Sequence, residues 1–157
     1  GLLQDGVIPR SKLPEVLDEI AEIGKRNGLT VANVFHAGDG NLHPLILYDY
    51  ENEQEVEKAH LIGEEILSSC IRHGGTLSGE HGIGLEKAEW MSKLYPGNSL
   101  DNMKNVRTFF NPENLLNPGK IFPSPGRCAE SKSGTTPKNS AVLNKSKMVA
   151  AKSGISV

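Results

Sequence analysis

The chain has 157 residues, and 17 Lys and Arg against 19 Asp and Glu give it a formal net charge of −2. This length and composition are typical of one globular domain with an appendage. The sequence contains no apolar run of the ~18 residues that a transmembrane helix needs. The charge is uneven, because residues 1–124 carry −7 and residues 125–157 carry +5. An acidic folded part argues against nucleic acid as a partner, since nucleic acid selects basic faces.

The start of the chain and its cysteines give two further expectations. The sequence begins at Gly1 and not at Met, so we expect a fragment or a processed product. Cys70 and Cys128 are too far apart to indicate a disulfide framework, a redox pair or a zinc knuckle. We therefore expect a reducing compartment, the cytoplasm, with Cys70 as a small side chain in the core.

Apolar periodicity predicts a regular series of elements in the first half of the chain. Ser11 is the expected N-cap of the first helix, and Gly28 is its expected stop. The series has the β-α-β-β-α-β order of a ferredoxin-like α+β fold, with two helices on one face of an antiparallel sheet. The predicted elements are a strand over 1–8, a helix over 12–27, strands over 30–37 and 41–48, a helix over 52–73 and a short strand over 76–78.

The second half of the chain changes character twice. Two further helices are predicted near residues 85–93 and 98–110, followed by an extended strap that prolines punctuate. Residues 125–157 are rich in Ser, Lys, Gly, Thr and Asn and have no apolar period. Such a segment buries too little surface to offset its ordering entropy, so we expect a disordered basic tail.

The most informative segment runs from His36 to His43, with the sequence His-Ala-Gly-Asp-Gly-Asn-Leu-His. Asp-Gly is a strong signal for a two-residue hairpin turn, and a turn at Asp39 and Gly40 places His36 directly opposite His43. Opposed Cβ atoms lie about 4.5–5.5 Å apart, so both imidazoles would reach one metal ion. Two ordinary histidines beside a turn are the alternative.

A glycine-rich loop over 79–84 presents Glu80 next to His81. A carboxylate and an imidazole at this position would supply a third metal ligand and a base or substrate contact. The glycine spacing is not that of a dinucleotide-binding fingerprint, and Glu80 would repel phosphate. A flexible connector with two exposed polar residues is the alternative interpretation.

Three motifs in order resemble the C-terminal domain of FAD-linked oxidases, in the vanillyl-alcohol-oxidase superfamily. They are the histidine segment 36–43, the segment 78–84 and the segment 114–120. Their flanks, over 5–10 and 31–47, are most similar to the GlcD-type subunits of glycolate oxidase, as is the segment 127–130. The resemblance extends over roughly residues 1–130.

The resemblance implies a domain organisation. Residues 1–84 would be part of a cap domain that binds substrate and metal. Residues 85–124 would be C-terminal helices and a strap returning to an FAD-binding domain that is absent from this chain. Residues 125–157 would be the tail, and the chain alone would be inactive.

The resemblance also implies a site. His36, His43 and Glu80 would bind a divalent metal ion, either zinc, manganese or iron, and His81 would be the catalytic base. Asn117 and Lys120 in the strap would contact FAD.

The implied reaction is the oxidation of glycolate to glyoxylate, with hydride transfer to FAD. A small 2-hydroxy acid would be the substrate, and other subunits of a glycolate oxidase complex would be the partners. Leu45 stands where 2-hydroxyglutarate dehydrogenases have a polar residue, which favours a small substrate. D-lactate or another D-2-hydroxy acid is an alternative substrate, and a non-catalytic metal-binding or interaction module is an alternative of another class.

Overall fold

A computed structural model describes residues 1–123 of the chain. The predicted disordered tail, residues 125–157, and Cys128 lie outside the described residues. The elements in chain order are β1 (Leu2–Leu3), β2 (Gly6–Val7), a 3₁₀ turn (Arg10–Lys12), α1 (Leu13–Asn27), β3 (Thr30–His36), β4 (Asn41–Leu47), α2 (Glu53–Arg72), a second 3₁₀ turn (Ala88–Trp90), α3 (Met91–Leu94) and α4 (Gly97–Phe110).

The sheet is antiparallel and has β4 at its centre. β3 pairs with one edge of β4 along its whole length, and β1 and β2 pair with the other edge. The predicted strand over 76–78 is reduced to one bridge, between Thr76 and Val7. This spatial order is that of a ferredoxin-like sheet, and the predicted α+β class is confirmed.

The first strand is interrupted at Gln4 and Asp5, where a continuous strand was predicted. β1 and β2 share one register against β4, which places Gln4 opposite Pro44 and Asp5 opposite His43. Pro44 has no backbone N–H to donate. Only the bond from the Gln4 N–H to the Pro44 carbonyl (3.0 Å) remains at this point. The missing donor accounts for the interruption.

The two long helices begin and end where capping chemistry permits. α2 begins after Asn52, whose side chain accepts hydrogen bonds from two backbone N–H groups of the first turn. α1 ends at Gly28, which has a φ of +73° as its predicted role requires. The predicted cap at Ser11 is wrong, because Ser11 lies in the 3₁₀ turn and α1 follows Lys12 without a side-chain cap.

An aliphatic core joins the sheet to α1 and α2. Cys70 belongs to this core, and burial raises the pKa of its thiol to about 11, which confirms its predicted structural role. None of the helices in the described part of the chain combines the length and apolarity that a bilayer crossing requires. The fully buried members of this core include Ile8, Val16, Ile20, Ile23, Leu42, Ile46, Ile62 and Ile66.

The C-terminal part has a smaller core of its own. The helix predicted over 85–93 is limited to the 3₁₀ turn and the single turn of α3, whereas α4 matches its prediction closely. The strap after α4 is held by Arg107, whose guanidinium donates to the carbonyl oxygens of Leu116 and Asn117 (2.7 Å each). The buried residues of the smaller core are Leu67, Leu77, Trp90, Met91 and Leu100.

A charged clasp links α1 to the end of α2. Glu19 accepts hydrogen bonds from Ser69 Oγ (2.6 Å) and the His73 imidazole (3.1 Å), and it pairs with Arg72. Burial by itself raises the pKa of Glu19, but these hydrogen bonds and the neighbouring cations lower that pKa below its usual value. The clasp therefore stabilises the fold only while Glu19 is ionised.

We predict that Glu19→Gln lowers the free energy of unfolding at neutral pH by about 1.5–3 kcal/mol, the range for hydrogen bonds to charged groups. Because the folded-state pKa is lowered, the contribution is complete above the unfolded pKa and is lost as the pH falls through the folded value. Urea unfolding at pH 5 and pH 3 should show a smaller difference between wild type and variant at pH 3. An equal difference at both pH values would contradict this assignment.

Candidate active site

The turn between β3 and β4 has four residues, 37–40, and not the predicted two. His36 lies opposite Asn41 in the ladder, and His43 lies opposite Val34. The predicted direct pairing of His36 with His43 is therefore wrong, and the two histidines are diagonal neighbours.

Packing of a distant segment on Gly40 explains the longer turn. Gly40 has a φ of +72°, and a Cβ atom built on it would lie 2.1 Å from the carbonyl oxygen of Ile8. The Ile8 N–H donates to the Gly40 carbonyl (3.0 Å), while the Gly40 N–H donates to the His36 carbonyl (3.0 Å). Only glycine tolerates both the backbone conformation and the close approach.

The diagonal arrangement still brings both histidines to one face of the sheet. The ring centroids of His36 and His43 are 5.4 Å apart, with the planes nearly perpendicular. His43 is the buried member, with 7% of its surface exposed, whereas His36 is exposed. α1 and α2 cover the other face of the sheet, so this face is free to receive a loop.

The loop over 79–84 places Glu80 against the histidines. Glu80 Oε1 lies 2.8 Å from His43 Nε2 and 3.7 Å from the Nε2 atoms of His36 and His81. The ring of His81 stacks on that of His43 at a centroid distance of 5.0 Å. All four residues that the sequence singled out here therefore meet around one carboxylate oxygen.

Two buried polar atoms beside this cluster have no hydrogen-bond partner among residues 1–123, namely His43 Nδ1 and Asn41 Oδ1. Unsatisfied buried polar groups are few in native proteins and call for a bound water, ion or ligand. Gly79 permits the close approach of the loop, because a Cβ atom there would lie 2.6 Å from the Asn41 side chain.

The donor set suits a divalent metal. Two imidazoles and a carboxylate are ligands that zinc and related ions accept. Ligand atoms at ~2.0–2.1 Å from tetrahedral zinc lie about 3.4 Å apart. This spacing falls between the 2.8 and 3.7 Å that separate Glu80 Oε1 from the two imidazoles. All three candidate ligand atoms lie within 4.8 Å of one another, so side-chain adjustment alone would bring them to this spacing.

Two clefts adjoin the cluster. One, of about 410 Å³, is lined by His36, Asn41 and Glu80. The other, of about 390 Å³, is lined by residues that include His81 and Lys120. Asn117, the other residue predicted to contact FAD, does not line either cleft.

Sequence reasoning missed two buried charged residues behind the loop. Asp5 accepts hydrogen bonds from Ser78 Oγ (2.6 Å) and the His81 N–H (2.9 Å), and Lys87 lies 3.8 Å from its carboxylate. Burial alone raises the pKa of Asp5, but these hydrogen bonds, together with Lys87, hold that pKa well below its usual range. Burial also lowers the pKa of Lys87, against the effect of Asp5.

Comparisons with known proteins point to one family. Residues 1–121 match the family model described as FAD linked oxidases, C-terminal domain. Glycolate oxidase subunit GlcD of Escherichia coli (strain K12) is 48% identical over 126 residues, which are 80% of this chain and 25% of that protein. GlcD of Bacillus subtilis (strain 168) is 36% identical over 80% of this chain and 27% of its own length. D-lactate dehydrogenase of Archaeoglobus fulgidus is 34% identical over 74% of this chain and 26% of its own length.

These matches confirm the resemblance that the three motifs carry. The chain spans about a quarter of the length of the relatives that it matches. The matched residues contain the whole cluster around Glu80.

Proposed function

This chain belongs to the family of FAD linked oxidases, C-terminal domain, and on that premise we propose that it is the cap and C-terminal part of an FAD-dependent 2-hydroxy-acid oxidoreductase. The proposed reaction is the oxidation of glycolate to glyoxylate, by similarity to the GlcD subunits. The observation that carries the proposal is the meeting of His36, His43 and His81 at Glu80 Oε1.

We propose that His36, His43 and Glu80 hold one divalent metal ion, zinc, manganese or iron. When bound, the ion would act as a Lewis acid on the substrate hydroxyl and carboxylate. His36 lies at the end of β3, His43 lies in the central strand β4 and Glu80 lies in the loop, so the proposed ligands come from three separate segments. The proposal is supported by the donor set, whose ligand atoms all lie within 4.8 Å of one another.

His81 is the proposed general base. It is half-exposed, stacks on His43 and lines the cleft that also contains Lys120. Its imidazole would take the proton from the substrate hydroxyl as the C2 hydride leaves, and FAD, when bound, accepts that hydride.

Lys120 and Asn117 are the proposed contacts to the flavin. The carbonyl oxygen of Asn117 accepts a hydrogen bond from Arg107 (2.7 Å).

D-lactate is a second candidate substrate, because D-lactate dehydrogenases are among the relatives. Leu45 is half-buried and lies two residues beyond His43, on the same face of β4. A leucine side chain there offers no hydrogen bond to a second carboxylate. We therefore limit the proposal to substrates with a hydrogen atom or a small alkyl group on C2.

The domain organisation is also part of the proposal. Phe109 and Phe110 at the end of α4 are 80% and 76% exposed, and their rings contact each other. Apolar faces of this kind commonly mark interaction sites. We propose that residues 85–124 pack this face against the FAD-binding domain. Other glycolate oxidase subunits are the proposed partners. The proposed location is the cytoplasm, because its reducing conditions suit the free thiol of Cys70.

The metal assignment predicts one equivalent of zinc or manganese per chain in isothermal titration calorimetry. His43→Ala should weaken binding at least 100-fold, because it removes the buried ligand of the set. His60→Ala, which changes an exposed histidine of α2, is the matched control and should bind as wild type does. Full occupancy in the His36→Ala/His43→Ala double variant would exclude the assignment.

The base assignment predicts a defect in the chemical step alone. In the full-length flavoprotein that contains this domain, His81→Gln should retain FAD and metal. It should slow flavin reduction by roughly 10²-fold or more, within the range of general base catalysis. Anaerobic stopped-flow with saturating glycolate or D-lactate measures this step without an electron acceptor. A rate within a few-fold of wild type would show that His81 is not the base.

The domain proposal predicts a contrast between two forms of the protein. Phe109→Ser/Phe110→Ser should lower the melting temperature of the full-length flavoprotein by several degrees but leave that of the 157-residue chain unchanged. Tyr50→Ser changes an aromatic residue with 79% exposure elsewhere and serves as the control. The proposal fails if the double variant and the control behave alike in the full-length protein.

A further inference from the structure

The backbone of the Glu80–His81 loop depends on one buried carboxylate. The Gly79 N–H donates to Asp5 Oδ1 (3.1 Å), and the N–H groups of Glu80 (3.3 Å) and His81 (2.9 Å) donate to Asp5 Oδ2. Ser78 Oγ donates to the same Oδ2 atom (2.6 Å). Three consecutive N–H groups directed at one anion form the kind of backbone nest that binds phosphate in other proteins. Here the bound anion is the side-chain carboxylate of Asp5, in the place that phosphate takes in those proteins.

In the described part of the chain, side chains and not backbone carbonyls accept hydrogen bonds from this stretch of backbone. Among residues 1–123, the N–H groups of Gly79, Glu80 and His81 donate to no backbone carbonyl, and the Gly82 N–H donates to Ser78 Oγ (2.7 Å). Gly79, Glu80 and His81 are exposed residues, but their N–H groups are directed inward at a carboxylate whose residue is 1% exposed. The conformation of the loop is therefore set from Asp5 and Ser78, not from a turn of its own.

Lys87 contacts the backbone of Asp5 and lies close to its carboxylate. Its ammonium donates to the carbonyl oxygens of Asp5 (2.6 Å) and Leu77 (2.7 Å), and it lies 3.8 Å from the Asp5 carboxylate. Asp5 is 1% exposed and Lys87 is 5% exposed. Lys87 thus ties the strand that carries Asp5 to the backbone just before the loop.

Asp5 is also adjacent to the proposed metal ligand on the sheet, because the strand register places it opposite His43. An oxygen of Asp5 and nitrogens of His43 and His81 all lie within 4.8 Å of one another. Both Asp5 oxygens already accept hydrogen bonds, and the carboxylate is closed off from solvent. These contacts suit a group that orients its neighbours better than one that binds an ion.

We propose that Asp5, held by Lys87, is the positioning residue that orients Glu80 and His81 toward the reacting centre. This inference rests on the proposed function for the roles of those two residues. The substitution that tests it is Asp5→Asn, which retains the shape of the side chain but removes the anion. The control is Glu19→Gln, because Glu19 also accepts a serine hydroxyl and pairs with a cation, but lies in the α1–α2 clasp.

Amide hydrogen exchange of the 157-residue chain tests the structural part. The N–H groups of Gly79, Glu80 and His81 should exchange at least 100-fold faster in Asp5→Asn, while α1 and α2 keep their protection. Glu19→Gln should leave the loop amides unchanged. If Asp5→Asn does not fold, Ser78→Ala should give a smaller increase confined to the same loop. Loop exchange that matches the Glu19→Gln control would overturn the proposal.

Calorimetry and flavin reduction test the functional part. Asp5→Asn should weaken zinc or manganese binding at least 10-fold and slow flavin reduction at saturating substrate, whereas Glu19→Gln should change neither at comparable loss of stability. If Asp5→Asn disorders the loop but leaves metal binding and flavin reduction unchanged, the positioning role is overturned. If wild type binds no metal and His81→Gln reduces flavin normally, the proposed function fails instead. The exchange result then still decides whether Asp5 orders the loop.

Discussion

β4 is paired on both sides, and this double pairing decides which side chains share the open face of the sheet. His43 lies near the middle of β4, with Asp5 opposite it between β1 and β2, and His36 diagonal to it on β3. A slip of one residue would turn His43 into the aliphatic core and an isoleucine or leucine toward the loop. The geometry of the cluster therefore follows from strand register, and the loop that carries Glu80 has only to be held against it.

The sequence was a reliable guide to the three longer helices, whose deciding interactions are local. α1, α2 and α4 were predicted within a few positions, because helical signals such as apolar periodicity lie inside each segment, although the predicted cap at Ser11 was wrong. The hairpin turn was predicted with the wrong length, because Asp-Gly reports only a local preference. The length was decided by Ile8, which follows β2 and packs its backbone on Gly40 from about thirty residues earlier in the chain.

Asp5 shows the limit of sequence reasoning for the site itself. A single acidic residue in a predicted strand is usually interpreted as solvent-facing. The hydrogen-bond partners of Asp5 lie more than 70 residues further along the chain. The sequence contained one signal, because Pro44 has no N–H group to donate to a neighbouring strand and therefore disturbs the pairing there. That disturbance falls at Gln4 and Asp5. The motif-based resemblance could name Glu80 and His81, but not the buried pair that supports them.

The buried pair is costly, which makes its presence informative. Removing two charges from water costs several kcal/mol per ion, and a hydrophobic pair of similar volume is often as stable or more stable. Asp5 and Lys87 therefore have no evident advantage as core residues in a domain with a well-packed aliphatic interior. A hydrophobic pair, however, offers no acceptor to the N–H groups of Gly79, Glu80 and His81. A loop left without acceptors would turn its amides to water and carry both side chains away from His43. Burying the pair lowers stability, but it supplies the acceptor that keeps the Glu80 carboxylate and the His81 imidazole in a fixed position beside the sheet.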